Sequence, residues 1–250
     1  MDEIRKIPAV TRFLCGSSLA VSLPTMLQLV APFKLVFVKE LVTRRFEIWR
    51  VYTSFFLGGG GLNYLFDFIM LYRNSDQLES QHYAGRSADY AWQLFWASAS
   101  ILALNLPLRS MLHTRPLLLA IIYLASKLAP PGTQTSLFGL LTFRVVYLPY
   151  ALIFLDLVMG GPAAAAQSVT GAVVGHLWWY TVFHTRVLER YARAPRVLRA
   201  WIDGPGRVAE VGGAGSGVYV VQPRAVREEE AAAAAAVTHR WGSGRRLGTE

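Results

Sequence analysis

The sequence predicts an all-α membrane protein of six helical spans followed by a disordered, basic C-terminal tail. Three observations predict it. Hydrophobic residues make up 53% of the 250 residues, and they gather in runs near the roughly twenty residues that cross a bilayer core. Charged residues are thin up to about residue 185 and dense beyond it, although the whole chain carries a net charge of +9. Trp and Arg stand at the edges of the apolar runs, as at Trp49-Arg50 and Trp92, where amphipathic side chains find an apolar and a wet neighbour at once. The same charge pattern argues against a nucleic-acid module, whose cations spread over a folded surface. The lone cysteine, Cys15, permits no disulfide framework and no cysteine metal site.

Residues 13–31 read as the first span, with a kink at Pro24. The run is too long for a signal-peptide core and lacks a small-x-small cleavage site, so it reads as retained. Residues 33–54 mix Phe33, Val36, Phe37, Phe46, Ile48 and Trp49 with Lys34, Lys39, Arg44, Arg45 and Arg50, which reads as an amphipathic loop in the interface. Residues 55–72 form the second span, with Gly58 to Gly61 inside it. Glycines there let another backbone, lipid or water come close. Residues 73–91 read as a polar loop, and 92–106 as the third span. The fourth, 116–128, is short, about 20 Å as a helix against a core of about 30 Å. Pro130-Pro131-Gly132 is a turn. Residues 137–159 read as the fifth span, Gly160-Gly161-Pro162 as a turn, and 163–183 as the sixth span.

The membrane domain is therefore assigned to residues 1–185 and the tail to 186–250. In the tail, 186–202 reads as a short basic helix able to lie on a membrane surface. Gly204 to Gly217 is glycine-rich and reads as disordered, and Glu228-Glu229-Glu230 before six alanines reads as a transient helix. The short loops barely discriminate the two sides. Arg186, Arg190, Arg193, Arg196 and Arg199 directly follow the last span, which places that end in the cytosol. Six spans then put both termini there.

Candidate chemistry is sparse. Gly171-xxx-Gly175 sets two glycines on one helix face for close helix packing. His176 follows directly, as a base, a metal ligand or a hydrogen-bonded bundle residue. Asp67 and Asp156 fall inside spans, where an ionised group is costly and must face the bundle or a wet cavity. With Asn63 and His176 they are the candidates for a polar groove; a plain structural hydrogen bond is the alternative reading of each aspartate. An intramembrane serine protease needs a Gly-x-Ser-Gly nucleophile and a facing histidine. His176 and His184 are available, but Ser18, Ser126 and Ser136 all lack the glycine pair. There is no His-Glu-x-x-His either. No catalytic residue, metal or cofactor is expected.

Taken together, Trp49-Arg50, Phe55-Phe56, Asn63-Tyr64-Leu65-Phe66, Leu71-Tyr72-Arg73, Leu78-Glu79 and Gly85-Arg86-Ser87-Ala88-Asp89-Tyr90 resemble the Derlins, rhomboid-like pseudoproteases of the endoplasmic reticulum. Tyr147-Leu148-Pro149 and Gly171-xxx-Gly175-His176-Leu177 match later signatures of that family. The resemblance covers roughly residues 8 to 190. Trp49-Arg50 looks like the family's WR motif, and the glycine pair like its GxxxG. In the tail, Trp241-Gly242-Ser243-Gly244-Arg245-Arg246-Leu247 is similar to the SHP box, here at 241–248. Trp241 stands where phenylalanine is usual and Arg245 where glutamine is usual. The resemblance implies that Trp241, Gly242, Gly244, Arg246 and Leu247 bind the valosin-containing AAA ATPase. Glycines would admit an extended strand, with Trp241 and Leu247 filling apolar pockets. It further implies a multi-pass protein of the endoplasmic reticulum membrane with no protease activity. Its work would be retrotranslocation of misfolded clients for degradation, beside a ubiquitin-ligase complex, as a homo- or hetero-oligomer. An active rhomboid-type protease and a simple membrane adaptor for the ATPase are the rival readings.

Overall fold

The computed structural model describes residues 7–137 and 141–203. The chain divides into two units, Met1–Gly212 and Gly213–Glu250. The second unit, the glycine-rich stretch, the alanine run and the box at 241–248 lie outside the described residues.

Helix α1 spans Ala9–Met26. It begins four residues before the expected span because Glu79 supplies its cap from elsewhere in the chain. The Glu79 carboxylate accepts the backbone N–H groups of Val10 at 3.0 Å and Thr11 at 2.7 Å, donors that have no partner within the helix. The helix ends short of Ala31 because the amides of Leu29 and Val30 fold back onto the Pro24 carbonyl. Residues 33–54 are more ordered than a loop. A 3-10 turn, Pro32–Lys34, precedes α2, Lys39–Arg45, and α3, Trp49–Phe56. The amphipathic reading holds in one respect: Phe33, Phe46, Ile48 and Trp49 all turn outward.

The expected second span, 55–72, is corrected. Its glycines do not lie in a helix; they separate α3 from α4, Leu62–Gln77. Gly61 takes φ 68°, a conformation that L side chains resist. A Cβ at Gly58 would sit 2.2 Å from the Tyr64 ring. The polar loop 73–91 is corrected as well. α4 runs on through a π-helical turn, Leu78–His82, and α5 begins at Ser87, spanning Ser87–Asn105. Of the polar residues that read as a loop, Asn74, Ser75, Glu79 and Asp89 are buried and hydrogen-bonded. Ser75 Oγ lies 3.0 Å from both Thr11 Oγ1 and Tyr90 Oη.

Helix α6, Thr114–Leu128, is buried at every residue from Pro116 to Ser126. A helix that is apolar all round belongs in the middle of a bundle. The start of the expected fifth span is instead a hairpin, which amends the all-α expectation. Strands β1, Gln134–Leu137, and β2, Leu141–Arg144, pair antiparallel with Gln134 opposite Arg144 and Thr135 opposite Phe143. Helix α7, Leu148–Trp178, is broken at Gly161 (φ 76°, ψ −174°) into arms 148–160 and 162–178. The turn expected at Gly160-Gly161-Pro162 is that break. A π-helical turn, Trp179–His184, and two short helices, α8, Glu189–Ala192, and α9, Arg196–Ile202, complete the described chain.

The core is α6 with Leu14, Leu78, Tyr90, Ile101 and Trp178 around it. The outer helix faces are apolar too, with Phe13, Ile69, Phe95, Phe154 and Met159 exposed. Outward apolar faces of this extent call for an apolar surrounding. Among the described residues, one helical run, Val145–His184, is long and apolar enough by itself to cross a membrane.

Candidate functional site

A charged cluster lies between α4, α6 and α7. Arg115, at the start of α6, reaches α4 and the first arm of α7 together. Its Nε donates to Asp156 Oδ1 at 3.0 Å, its Nη2 to the same oxygen, and its Nη1 to Asp67 Oδ1. Ser168, on the second arm of α7, donates its hydroxyl to Asp156 Oδ2. One guanidinium and two carboxylates thus join three helices. An ion pair inside a bundle is stable only when each charge is paired and hydrogen-bonded, and Asp156 meets that condition. Beside Asp67 lies a cavity of about 20 Å³, room for roughly one water. Ser18, Tyr64, Phe68, Thr114 and Leu117 help line it. Asp67 and Asp156 therefore meet through Arg115, which immediately precedes the expected fourth span. Asn63 is exposed on α4 and His176 is exposed on α7; neither joins the cluster. His176 Nδ1 lies 2.9 Å from Tyr123 Oη, with its ring stacked against Tyr180.

Trp49 and Arg50 do opposite things on adjacent positions of α3. Trp49 is 55% exposed, whereas Arg50 is 7% exposed. The guanidinium donates to the carbonyls of Phe33 at 2.8 Å and Val36 at 3.1 Å, and its Nε pairs with Glu47. Arg50 thus ties the 3-10 turn to α3, and the indole faces out beside it.

Gly171 and Gly175 lie against α6 with no room for a side chain. A Cβ at Gly171 would stand 2.2 Å from the Pro116 carbonyl oxygen, and one at Gly175 would stand 2.8 Å from that of Ala120. The second arm of α7 packs backbone to backbone on the central helix.

A serine and a histidine do meet, though not at the positions considered from the sequence. Ser54 Oγ and His113 Nδ1 are 3.1 Å apart and fully buried. The Ser54 hydroxyl donates to the Val51 carbonyl at 2.9 Å. Its proton is thereby committed, so Nδ1 must donate to the serine oxygen. A general base needs the reverse polarity. The rings of Phe37 and Phe55 cover the imidazole, with centroids 5.3 and 5.2 Å away, and Nε2 has no partner. Among the described residues no three His, Cys, Asp or Glu side chains cluster as metal ligands.

A helical bundle with apolar outer faces, a shared-arginine cluster and backbone-tight glycine packing fits the class of helical membrane proteins. Its relatives make the assignment specific. The Der1-like family profile matches residues 7–196. Derlin-1 of Homo sapiens is 30% identical over 256 aligned residues, covering 100% of this chain and 98% of that protein. Derlin-1 of Arabidopsis thaliana is 31% identical over 225, covering 84% of this chain and 82% of that protein. Derlin-1.2 of Zea mays is 28% identical over 207, covering 77% of this chain. The chain belongs to the Der1-like, or Derlin, family.

Sequence reasoning missed Arg115, Ser54 and His113. Arg115 sits two residues after His113 and next to Pro116, in a stretch that reads as a linker. A lone cation next to an apolar run, with two acids inside other runs, was the available signal.

Proposed function

We propose that the chain is a non-catalytic Derlin component of endoplasmic-reticulum-associated degradation. It spans the endoplasmic reticulum membrane six times in a rhomboid-like fold, with both termini cytosolic, and assists the return of misfolded proteins to the cytosol. The observation that carries this reading is full-length similarity to Derlin-1, which runs through the tail as well as the bundle. The tail, through Trp241, Gly242, Gly244, Arg246 and Leu247, recruits the valosin-containing AAA ATPase. About forty residues separate Ile202 from Trp241, a length that would reach roughly 35 Å as a coil, enough to hold the motor at the membrane. A ubiquitin-ligase complex and misfolded clients are the other partners.

A short helical arm supports a thinned bilayer. The 148–160 arm of α7 rises only about 20 Å and presents Phe154 and Met159 outward. A bilayer core of about 30 Å meets such an arm by thinning. Thinner lipid shortens the apolar path of a translocating polypeptide.

The test is a pull-down of the ATPase by the full chain and by a chain lacking residues 241–247. Recovery should drop with the deletion; equal recovery removes the tail from the mechanism. The protease alternative is addressed by a fluorophosphonate probe. The Ser54–His113 polarity and burial favour no labelling, and a labelled serine would restore catalysis as the reading.

A further inference from the structure

Residues 186–203 form a segment pinned to the start of α5. Asp89 Oδ1 accepts the Ala194 amide at 2.8 Å and Arg199 Nη2 at 3.1 Å. Gln93 Nε2 donates to the Ala192 carbonyl at 3.1 Å, and Trp92 Nε1 to that of Tyr191 at 3.0 Å. Asp203 Oδ1 receives the Ala88 amide at 3.3 Å. These bonds fix which face of the segment is left free.

That face is inverted relative to a helix bathed in water. On α9 the charged Arg199 turns in toward Asp89, while Val197 and Trp201, four residues apart and so on one face, are each 83% exposed. Val187 and Tyr191 are also exposed. Beside and between these apolar residues stand Arg186, Arg190, Arg193 and Arg196, all exposed. Of these, Arg193 has Glu189 beside it at 3.3 Å. The acids of the segment, Glu189 and Asp203, are too few to balance its arginines. On the same stretch of α5, Trp92, Phe95 and Trp96 form an aromatic cluster, with Trp92 5.9 Å from Phe95 and 5.8 Å from Trp96 by ring centroids. Phe95 and Trp96 are exposed. Such a cluster marks the headgroup level of a bilayer.

We infer that residues 186–202 are a built-in binding surface for anionic phospholipid. Val187, Tyr191, Val197 and Trp201 enter the headgroup–acyl boundary, and Arg186, Arg190 and Arg196 take the lipid phosphates. The charge decides the occupant: apolar residues alternating with unbalanced arginines match an acidic interface. A neutral protein surface would leave those arginines unanswered. Each arginine at an anionic surface shifts the docked population about fivefold. The pins to Asp89 and Gln93 mean that little ordering is needed on docking, and they set where the chain beyond residue 203 leaves the membrane.

The experiment uses the full chain with Cys15→Ser and a spin label at Val197→Cys, reconstituted in phosphatidylcholine vesicles and in phosphatidylcholine–phosphatidylserine vesicles. The label's accessibility to a water-soluble nickel chelate should fall several-fold when phosphatidylserine is present. Arg186→Gln/Arg190→Gln/Arg196→Gln should abolish that difference, and so should high salt with the arginines intact. Equal accessibility in the two vesicles overturns the inference. So does protection that ignores the arginines and salt, or spin–spin broadening that reveals a second copy on this face. None of these outcomes bears on the ATPase pull-down, which reads residues beyond Gly204.

Discussion

Arg115 and Asp156 lie 41 residues apart in the chain and meet between α6 and α7 with Nε and Oδ1 at 3.0 Å. Asp67 on α4 shares the same guanidinium. Removing the arginine strands two carboxylates inside the bundle. Arg115→Met should therefore destabilise by about 2–3 kcal/mol, below the usual loss for a deeply buried pair, because the Arg115 side chain keeps 34% of its surface exposed. Asp67→Asn/Arg115→Met/Asp156→Asn removes all three charges and should recover most of that loss. Denaturation in mixed micelles distinguishes the cases. If the triple variant is no better than the single one, the cluster does not act through charge.

The glycine face makes a sharper prediction. At Gly171 a Cβ meets Pro116 O, Cα and C at 2.2, 2.7 and 2.8 Å. All three are backbone atoms, so no rotamer can relieve the clash and the two helices must part. Gly171→Ala should cost about 1–3 kcal/mol, the range for overpacking. Gly16, on α1, faces open space. Gly16→Ala should be neutral or stabilising by up to about 1 kcal/mol, since alanine is the better helix former. The pair of melting curves, taken together, separates steric exclusion from a general intolerance of substitution.

His113 predicts a pH dependence. It lies in the turn before α6, and burial pushes its pKa down from the ordinary 6.5 to about 4. The unfolded chain therefore binds a proton that the folded chain refuses between those values. Stability from this group is complete above pH 6.5 and declines as pH falls toward 4. At pH 5 the loss should be about 2 kcal/mol. Thermal unfolding at pH 7.5 and pH 5 measures it, and His113→Phe should flatten the difference even where it lowers stability overall. An unchanged slope in that variant would assign the acid sensitivity elsewhere.

What the sequence disclosed, and what it hid, follows from the range over which the forces act. Apolar runs locate α1, α5, α6 and α7 because burial is written into local composition. The break at Gly160-Gly161-Pro162 is legible because backbone freedom is a local property. Residues 73–82 read as a loop in the sequence because Ser75 and Glu79 look solvated in isolation. Their partners, Thr11 and the α1 amides, are 64 to 69 residues away. Hydropathy also cannot tell a glycine inside a helix from Gly61 at φ 68°. Residues 137–144 of the hairpin read as the start of a span because Leu137, Leu141 and Phe143 carry the same hydropathy in a strand as in a helix. Trp49-Arg50 and the Gly171–Gly175 spacing were visible as motifs; that Arg50 turns in and Trp49 out was not.

That division between Trp49 and Arg50 gives the last prediction. Arg50 holds Phe33 O and Val36 O with one nitrogen, Nη1, while Nε engages Glu47. Lysine offers a single point charge and cannot span all three acceptors in that geometry. Arg50→Lys should therefore loosen residues 32–48, and hydrogen exchange or limited proteolysis of that stretch should rise about tenfold for each 1.4 kcal/mol lost. Trp49→Ala removes an outward ring that bonds none of these groups, so local protection should stay unchanged while its effect falls on anchoring to the lipid interface. Equal loosening by both variants would show that the motif works as one unit, and that the indole, despite its exposure, holds the 32–48 stretch through packing.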